Sequence, residues 1–351
     1  MARGLASLVM IQGHAYHGWV APEHHDAAYA FTRVLGTLPL PAFLVLAGAA
    51  MMLRLESAAR RHEDARVVRN ALMRRGGQLV VIGYAVNATY ALIDGAAGLH
   101  TWLRADVLHV IGLSLLASAW LGLPTSREVS PTRFARRAAA LATVVTLLCP
   151  WLSPLGANVP AALAPLVAPF VDVPRFSAMP FVPLFAWLAV GAVAQHALAR
   201  FRDDSPVARR AGASGKALLA LAALGLGLAF AGSYATAALV ETLGGPLSRA
   251  HVAVIPNVLD LAGRGLLVLA VGAGLSLVLP DRLRAAVIRL GQGSLVAYVV
   301  HVPFCYGRLA GPLLGSCDMA AASLALPFLV AVSWGSVYAR DGLRSRLRAA
   351  R

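Results

Sequence analysis

"VLGTLPLPAFLVLAGAAMMLRLESAARRHEDARVVRNALMRR" runs from Val34 to Arg75, and its two halves differ sharply in character. Up to Leu53 there is no charged side chain; from Arg54 onward there are seven arginines. An uncharged run of this length matches the hydrocarbon thickness of a bilayer, which takes roughly 20 helical residues to cross. The arginines that follow cannot enter hydrocarbon, and clustered Lys and Arg beside a span mark its cytoplasmic end. The stretch therefore predicts one membrane span followed by one cytoplasmic connector.

The same alternation extends along the whole chain. Apolar runs fall near 3–20, 34–53, 76–93, 103–122, 137–154, 180–199, 217–238, 257–279, 291–308 and 320–339. Of the 31 Lys and Arg, 25 lie on one set of alternate connectors and ends, namely Arg3, 54–75, 123–137, 200–216, 280–289 and 340–351. The 16 acidic residues divide evenly between the two sides, so the bias belongs to the positive residues alone, as the positive-inside rule requires. The expectation is an all-α bundle of about ten transmembrane helices, a single membrane-embedded domain over 1–351, with both termini cytoplasmic. Composition agrees: 58% of the 351 residues are hydrophobic and 13% charged, with mean hydropathy +0.69. That is too little charge to coat a soluble domain. The net charge of +15 is accounted for by orientation and calls for no nucleic acid. The connector 155–179, "LGANVPAALAPLVAPFVDVPRFSAM", is apolar but broken by prolines and cannot be a clean span. Three cysteines imply no disulfide framework, a Cys305–Cys317 bridge being the one conceivable pairing.

Polar residues inside the runs point to function, because ionisable groups at membrane depth are costly unless they face a cavity or one another. Alternating helix direction places His14 and His17 in the outer half of the first run and Asn87 at the outer end of the third. Asp106 and His109 stand at i,i+3 in the first turns of the fourth. Asn257, Asp260 and Arg264 open the eighth, the last two at the i,i+4 spacing of an ion pair. In the ninth, Ser294, Tyr298, His301 and Cys305 make one stripe, and His301 falls about 15 Å from the inner end at 1.5 Å per residue. His24 and His25 follow the first run in an outer loop. Eight of the ten histidines thus lie on the outer side. A histidine backed by a carboxylate is a general base for deprotonating a hydroxyl or amine, and it can itself carry an acyl group. No H-E-x-x-H, H-x-x-x-x-D, G-x-S-x-G or P-loop is present, and no metal is expected.

"ARGLASLVMIQGHAYHGW" followed by "LPAFLVLAGAAMML" resembles the opening of the heparan-α-glucosaminide N-acetyltransferase catalytic-domain family. "LRADVLHVIGLSLL", "MPFVPLFAWLAVGA" and "LGQGSLVAYVVHVPF" resemble it further in the same order, the last also being similar to a closing pattern of related membrane acyltransferases. The resemblance implies a multi-pass acyltransferase of the bacterial inner membrane. It would move an acetyl or other acyl group from cytoplasmic acetyl-CoA to an acceptor on the outer side, an amino sugar or other glycan. It implies His25, with His14, His301, Asp106 and His109, as catalytic residues; Asn87, Asn257, Asp260, Arg264 and Tyr298 are substrate-binding candidates on their depth alone, with an internal Asp260–Arg264 ion pair and a packing role for Tyr298 as the alternatives. Membrane lipid, acyl-CoA and a glycan or small-molecule acceptor are the implied partners, and a homo-oligomer is compatible with it. There are two departures: the acidic residue expected before Arg3 is not there, which leaves two readings open, a start upstream of Met1 or a degenerate member kept as a structural or sensory protein, and the long preamble of animal members is missing, which argues against heparan as substrate. The competing class is a transporter or flippase using the same polar groups.

Overall fold

In the computed structural model, residues 1–96, 98–122, 128–199, 215–243 and 254–349 are described. Most of the basic connector 200–216 and His251 lie outside them. The described residues form fourteen α-helices, among them α1 (Ala2–Trp19), α2 (Ala27–Gly36), α3 (Pro39–Arg60), α4 (Ala65–Asp94), α5 (Leu99–Trp102), α6 (Val107–Gly122) and α7 (Pro131–Gly156). There follow α8 (Ala164–Val167), α9 (Phe181–Leu198), α10 (Gly215–Leu243), α11 (Val254–Val278), α12 (Asp281–Gln292), α13 (Ser294–Tyr306) and α14 (Met319–Ala349). No strand is present among them, only isolated bridges such as Val20 with Cys317.

Every apolar run of the sequence coincides with a helix, but the runs are not equal. Among the described residues, seven helical segments are long and apolar enough to cross a membrane, the first of them Ala27–Arg60. The ninth run, expected as one straight helix over 291–308, is broken: α12 and α13 meet at 78°. Gly293 sits at that corner, and a Cβ there would lie 2.4 Å from the Val337 methyls, so only glycine lets the bend nest against α14. The bend also shortens the reach to His301, which lies seven residues into α13, about 10 Å from its start rather than 15 Å. α6 has 16 residues, short for a span. α1 is absent from the apolar set although it is 18 residues long. Arg3, Gln12, His14 and His17 lower its hydropathy.

Helix ends follow local chemistry. Asp64 caps α4 by accepting from the Arg66 amide at 2.7 Å, and Gly95 closes it in the left-handed conformation at φ 67°. The arginine-rich connector 54–75 is helical except for a short turn. In that turn the Arg54 guanidinium beside Glu63 holds its carboxyl below the usual range. The proline-broken connector contains only the four-residue α8, and Ala164, Ala168 and Val173 pack on Ala105. The amide of Ala105 donates to the Phe176 carbonyl at 2.7 Å, so this connector is tied down immediately beside Asp106.

The chain divides into two compact units, Met1–Pro39 with Ala270–Arg351, and Leu40–Leu269. The first joins the two ends of the sequence. Its core is Ile11, Tyr16 and Trp19 of α1 with Cys305 and Leu329 of α13 and α14. The second centres on Leu44, Val45, Trp187 and Leu266, with the Trp187 indole N–H donating to the Val258 carbonyl at 2.9 Å. Here glycines let helix backbones touch: Gly48 meets the Leu188 carbonyl and Gly191 that of Val45.

Candidate functional site

In the first unit α1 runs alongside α13, from the α12–α13 corner onward, in a fixed register. Gly4 faces Gly291 at one end of α1, and Gly18 faces the Cys305 carbonyl at the other, where an added Cβ would lie 2.0 Å from that oxygen. Both pairs are 287 residues apart, and so is the pair between them. His14 Nδ1 and His301 Nε2 are hydrogen-bonded at 2.9 Å with |i−j| of 287. The glycine contacts thus set the register that brings the two histidines together. The rings lie within 14° of parallel, centroids 5.1 Å apart. His301 is completely buried, and its Nδ1–H donates to the Ala297 carbonyl at 2.7 Å. His14 is partly buried, so the pair runs from a sealed ring to a less enclosed one.

Other side chains frame the less enclosed end. The Tyr306 ring lies 5.5 Å from His14, and its hydroxyl is hydrogen-bonded to His17 Nδ1 at 3.1 Å. Tyr298 stands edge-on to His301 at 6.0 Å. Arg33 of α2 is exposed and within electrostatic range of His14, His17 and Tyr306. The Trp19 indole N–H donates to the Phe304 carbonyl at 2.8 Å, pinning α1 to α13. The reading of the sequence missed Tyr306 and Arg33 as site residues. Tyr306 follows Cys305, outside the stripe of Ser294, Tyr298, His301 and Cys305, and Arg33 falls between two apolar runs, where no helix period points to it.

His25 and His24 are exposed in the loop after α1. His25 stacks flat on Tyr29, centroids 3.9 Å apart and 1° from parallel. Its neighbour Asp26 caps α2 by accepting from the Tyr29 amide at 2.8 Å, which fixes the platform His25 lies on. His25 therefore has a held ring with free edges.

The second unit holds a different cluster. Asp106 is not inside the fourth helix as expected but one residue before it. Its carboxylate accepts from the Leu108 amide at 3.0 Å as a helix cap, leaving the same oxygen 3.0 Å from His109 Nδ1. His109 is fully buried, its ring wedged where Gly83 lacks a side chain (a Cβ would lie 2.6 Å away) and edge-on to Tyr84 at 4.2 Å. Its Nε2 has no partner among the described residues. Asn87, one turn beyond Gly83, donates to the Arg104 carbonyl at 2.6 Å and so braces the approach to Asp106. Asp260 and Arg264 are ion-paired at 2.8 Å on α11, and Asn257 is exposed on the same helix.

The three cysteines are free thiols, so Cys305 and Cys317 are not bridged. Among the described residues no cluster of three or more His, Cys, Asp or Glu is arranged to hold a metal. An apolar cavity of about 560 Å³ lies in the second unit among Thr143, Leu147, Val190, Leu228, Ile255 and Leu259, and no candidate site residue lines it.

The family described as "Heparan-alpha-glucosaminide N-acetyltransferase, catalytic" matches residues 1–233, and the chain belongs to that family. No curated protein matches it. His14, His25, Asn87, Asp106 and His109 lie within the matched residues; Asn257, Asp260, Arg264, Tyr298 and His301 lie beyond them.

Proposed function

We propose that this multi-pass member of an acyltransferase family moves an acetyl or other small acyl group from acetyl-CoA on the cytoplasmic side to an acceptor on the outer side of a bacterial inner membrane. The acceptor class is an amino sugar or other glycan. Family membership supports the reaction class. The distribution of 25 of 31 Lys and Arg supports the orientation, with both termini cytoplasmic and the arginines of 54–75 placed to meet the phosphates of the donor. The single observation that carries the site is the bond between His14 and His301, since two imidazoles at membrane depth, one sealed and one less enclosed, are an arrangement for moving a proton.

In this reading His25, held on Tyr29 with its ring edges free, receives the acyl group, and the His14–His301 pair serves the acceptor's nucleophile. Tyr298 frames that pair. The sealed Asp106–His109 pair, with Asn87 beside it, holds the start of α6 in place. The test uses membranes containing the protein, incubated with isotopically labelled acetyl-CoA, with labelled product identified by mass spectrometry and free CoA measured. Acyl transfer lost in His25→Ala and in His301→Ala supports the assignment; transfer unchanged in both sinks it. A transporter would release no CoA.

A further inference from the structure

The hydrogen bonds around His301 fix which nitrogen carries each proton. The Ala297 carbonyl can only accept, so His301 Nδ1 must carry a proton to make the 2.7 Å bond. A neutral imidazole has one N–H, so His301 Nε2 is then a bare lone pair. That lone pair faces His14 Nδ1 at 2.9 Å and can only accept, so His14 Nδ1 carries the proton. By the same count His14 Nε2 is the lone pair, on the half-buried ring of the pair. The order of protons runs outward from a helix carbonyl through two rings and ends on one defined atom.

We propose that His301 is a positioning residue that locks His14 into its Nδ1–H tautomer, making His14 Nε2 the base that deprotonates the acceptor. The inference rests on the acyl-transfer reading and names the base within it. In the step, the acceptor's oxygen or nitrogen bonds to the acyl carbon while its proton passes to His14 Nε2. The bond from the acyl carbon to its leaving group, the CoA sulfur or the His25 ring, breaks with its electron pair. The proton on His14 Nε2 then neutralises that leaving group, which restores the starting tautomer. His301 does not touch the reacting atoms: it accepts from His14 throughout, so His14 can hold the extra proton without turning its ring. The groups facing His14 are His17 on its own helix, Arg33 from α2, and His301 and Tyr306 from α13. None of them is a carboxylate, so the neutral second imidazole takes the place that an acid usually fills behind a catalytic histidine.

The test reads the tautomers directly and the chemistry separately. Protein labelled with 15N at the histidine rings is placed in nanodiscs of phosphatidylethanolamine and phosphatidylglycerol, with His14→Asn used to assign the His14 signals. The expected spectrum shows both His14 and His301 protonated at Nδ1 and bare at Nε2. Coupled acyl-transfer assays with labelled acetyl-CoA and glucosamine as probe acceptor then compare two variants. His301→Leu lowers kcat by about 100-fold, the lower end of what a positioned base contributes, with KM for acetyl-CoA unchanged. His301→Gln, whose carbonyl oxygen can accept from His14 Nδ1, stays within about tenfold of the parent. A wild-type spectrum with His14 protonated at Nε2, or a His301→Leu variant within twofold of wild type, overturns the proposal. If the wild-type spectrum is as expected but no CoA is released with any acceptor, the tautomer lock stands and the acyl-transfer reading fails. The wild-type spectrum needs no variant to fold.

Discussion

The two buried histidines are built in opposite ways. His109 is held from nearby: its carboxylate partner is three residues away, and Gly83 and Tyr84 of the neighbouring α4 close over its ring. His301 is held from afar, by a helix carbonyl one turn back and by a histidine 287 residues earlier in the chain. The near arrangement ends on a nitrogen with no partner inside packed protein. The distant one ends on a ring that is only partly buried. A sealed imidazole stabilises a helix start and a less enclosed one can exchange protons with a substrate, so the two clusters should respond differently to the same kind of substitution.

The sharpest way to break the comparison is His14→Ala. It should lower acyl transfer by about 100-fold to 10,000-fold, the range for losing a general base, while His109→Ala acts through stability. Equal losses of transfer at unchanged thermal stability would erase the distinction. Next comes the register itself. Gly18→Val places side-chain atoms on the Cys305 carbonyl and should cost about 1–3 kcal/mol of stability as an overpacked contact, read as a lower melting temperature in detergent together with lost transfer. A Gly18→Val protein with normal melting and normal transfer would show that the glycine contacts do not set the histidine pair.

A smaller effect sharpens the sealed cluster. Asp106→Ala removes the helix cap and should cost about 1 kcal/mol, whereas Asp106→Asn keeps a capping oxygen and should cost less. Transfer lost in Asp106→Asn at unchanged stability would make the carboxylate chemical rather than structural. The smallest expected effect lies in the Asp260–Arg264 pair. Asp260→Asn and Arg264→Gln together should disturb stability less than their separate effects add up to, with a coupling of at least about 0.5 kcal/mol in a double-mutant cycle. Strict additivity would mean the pair carries no mutual stabilisation.

Much of this protein is legible along the chain, because the forces that specify it act locally. A bilayer demands uncharged runs of one length, and Arg54 to Arg75 show where such a run must stop. Residues four apart on a helix must be neighbours, so the pair Asp260–Arg264 could be named from spacing alone, whereas Asp106 meets His109 from the capping position just before α6. Where spacing assumed an unbroken helix it went astray, since the 78° corner at Gly293 depends on a methyl-sized gap against Val337 of another helix. Local pattern along the chain was enough for a multi-helix membrane protein, its charge asymmetry and the set of polar residues that needed explaining. That the two ends of the chain share one unit, and that His14 meets His301 there, emerged from helix packing. The same packing puts Tyr306 and Arg33 beside them and seals His109. The reason is physical: contacts between helices depend on where backbone can touch backbone, at Gly4 with Gly291 and at Gly18 with Cys305, and no periodicity along a single helix records its partner.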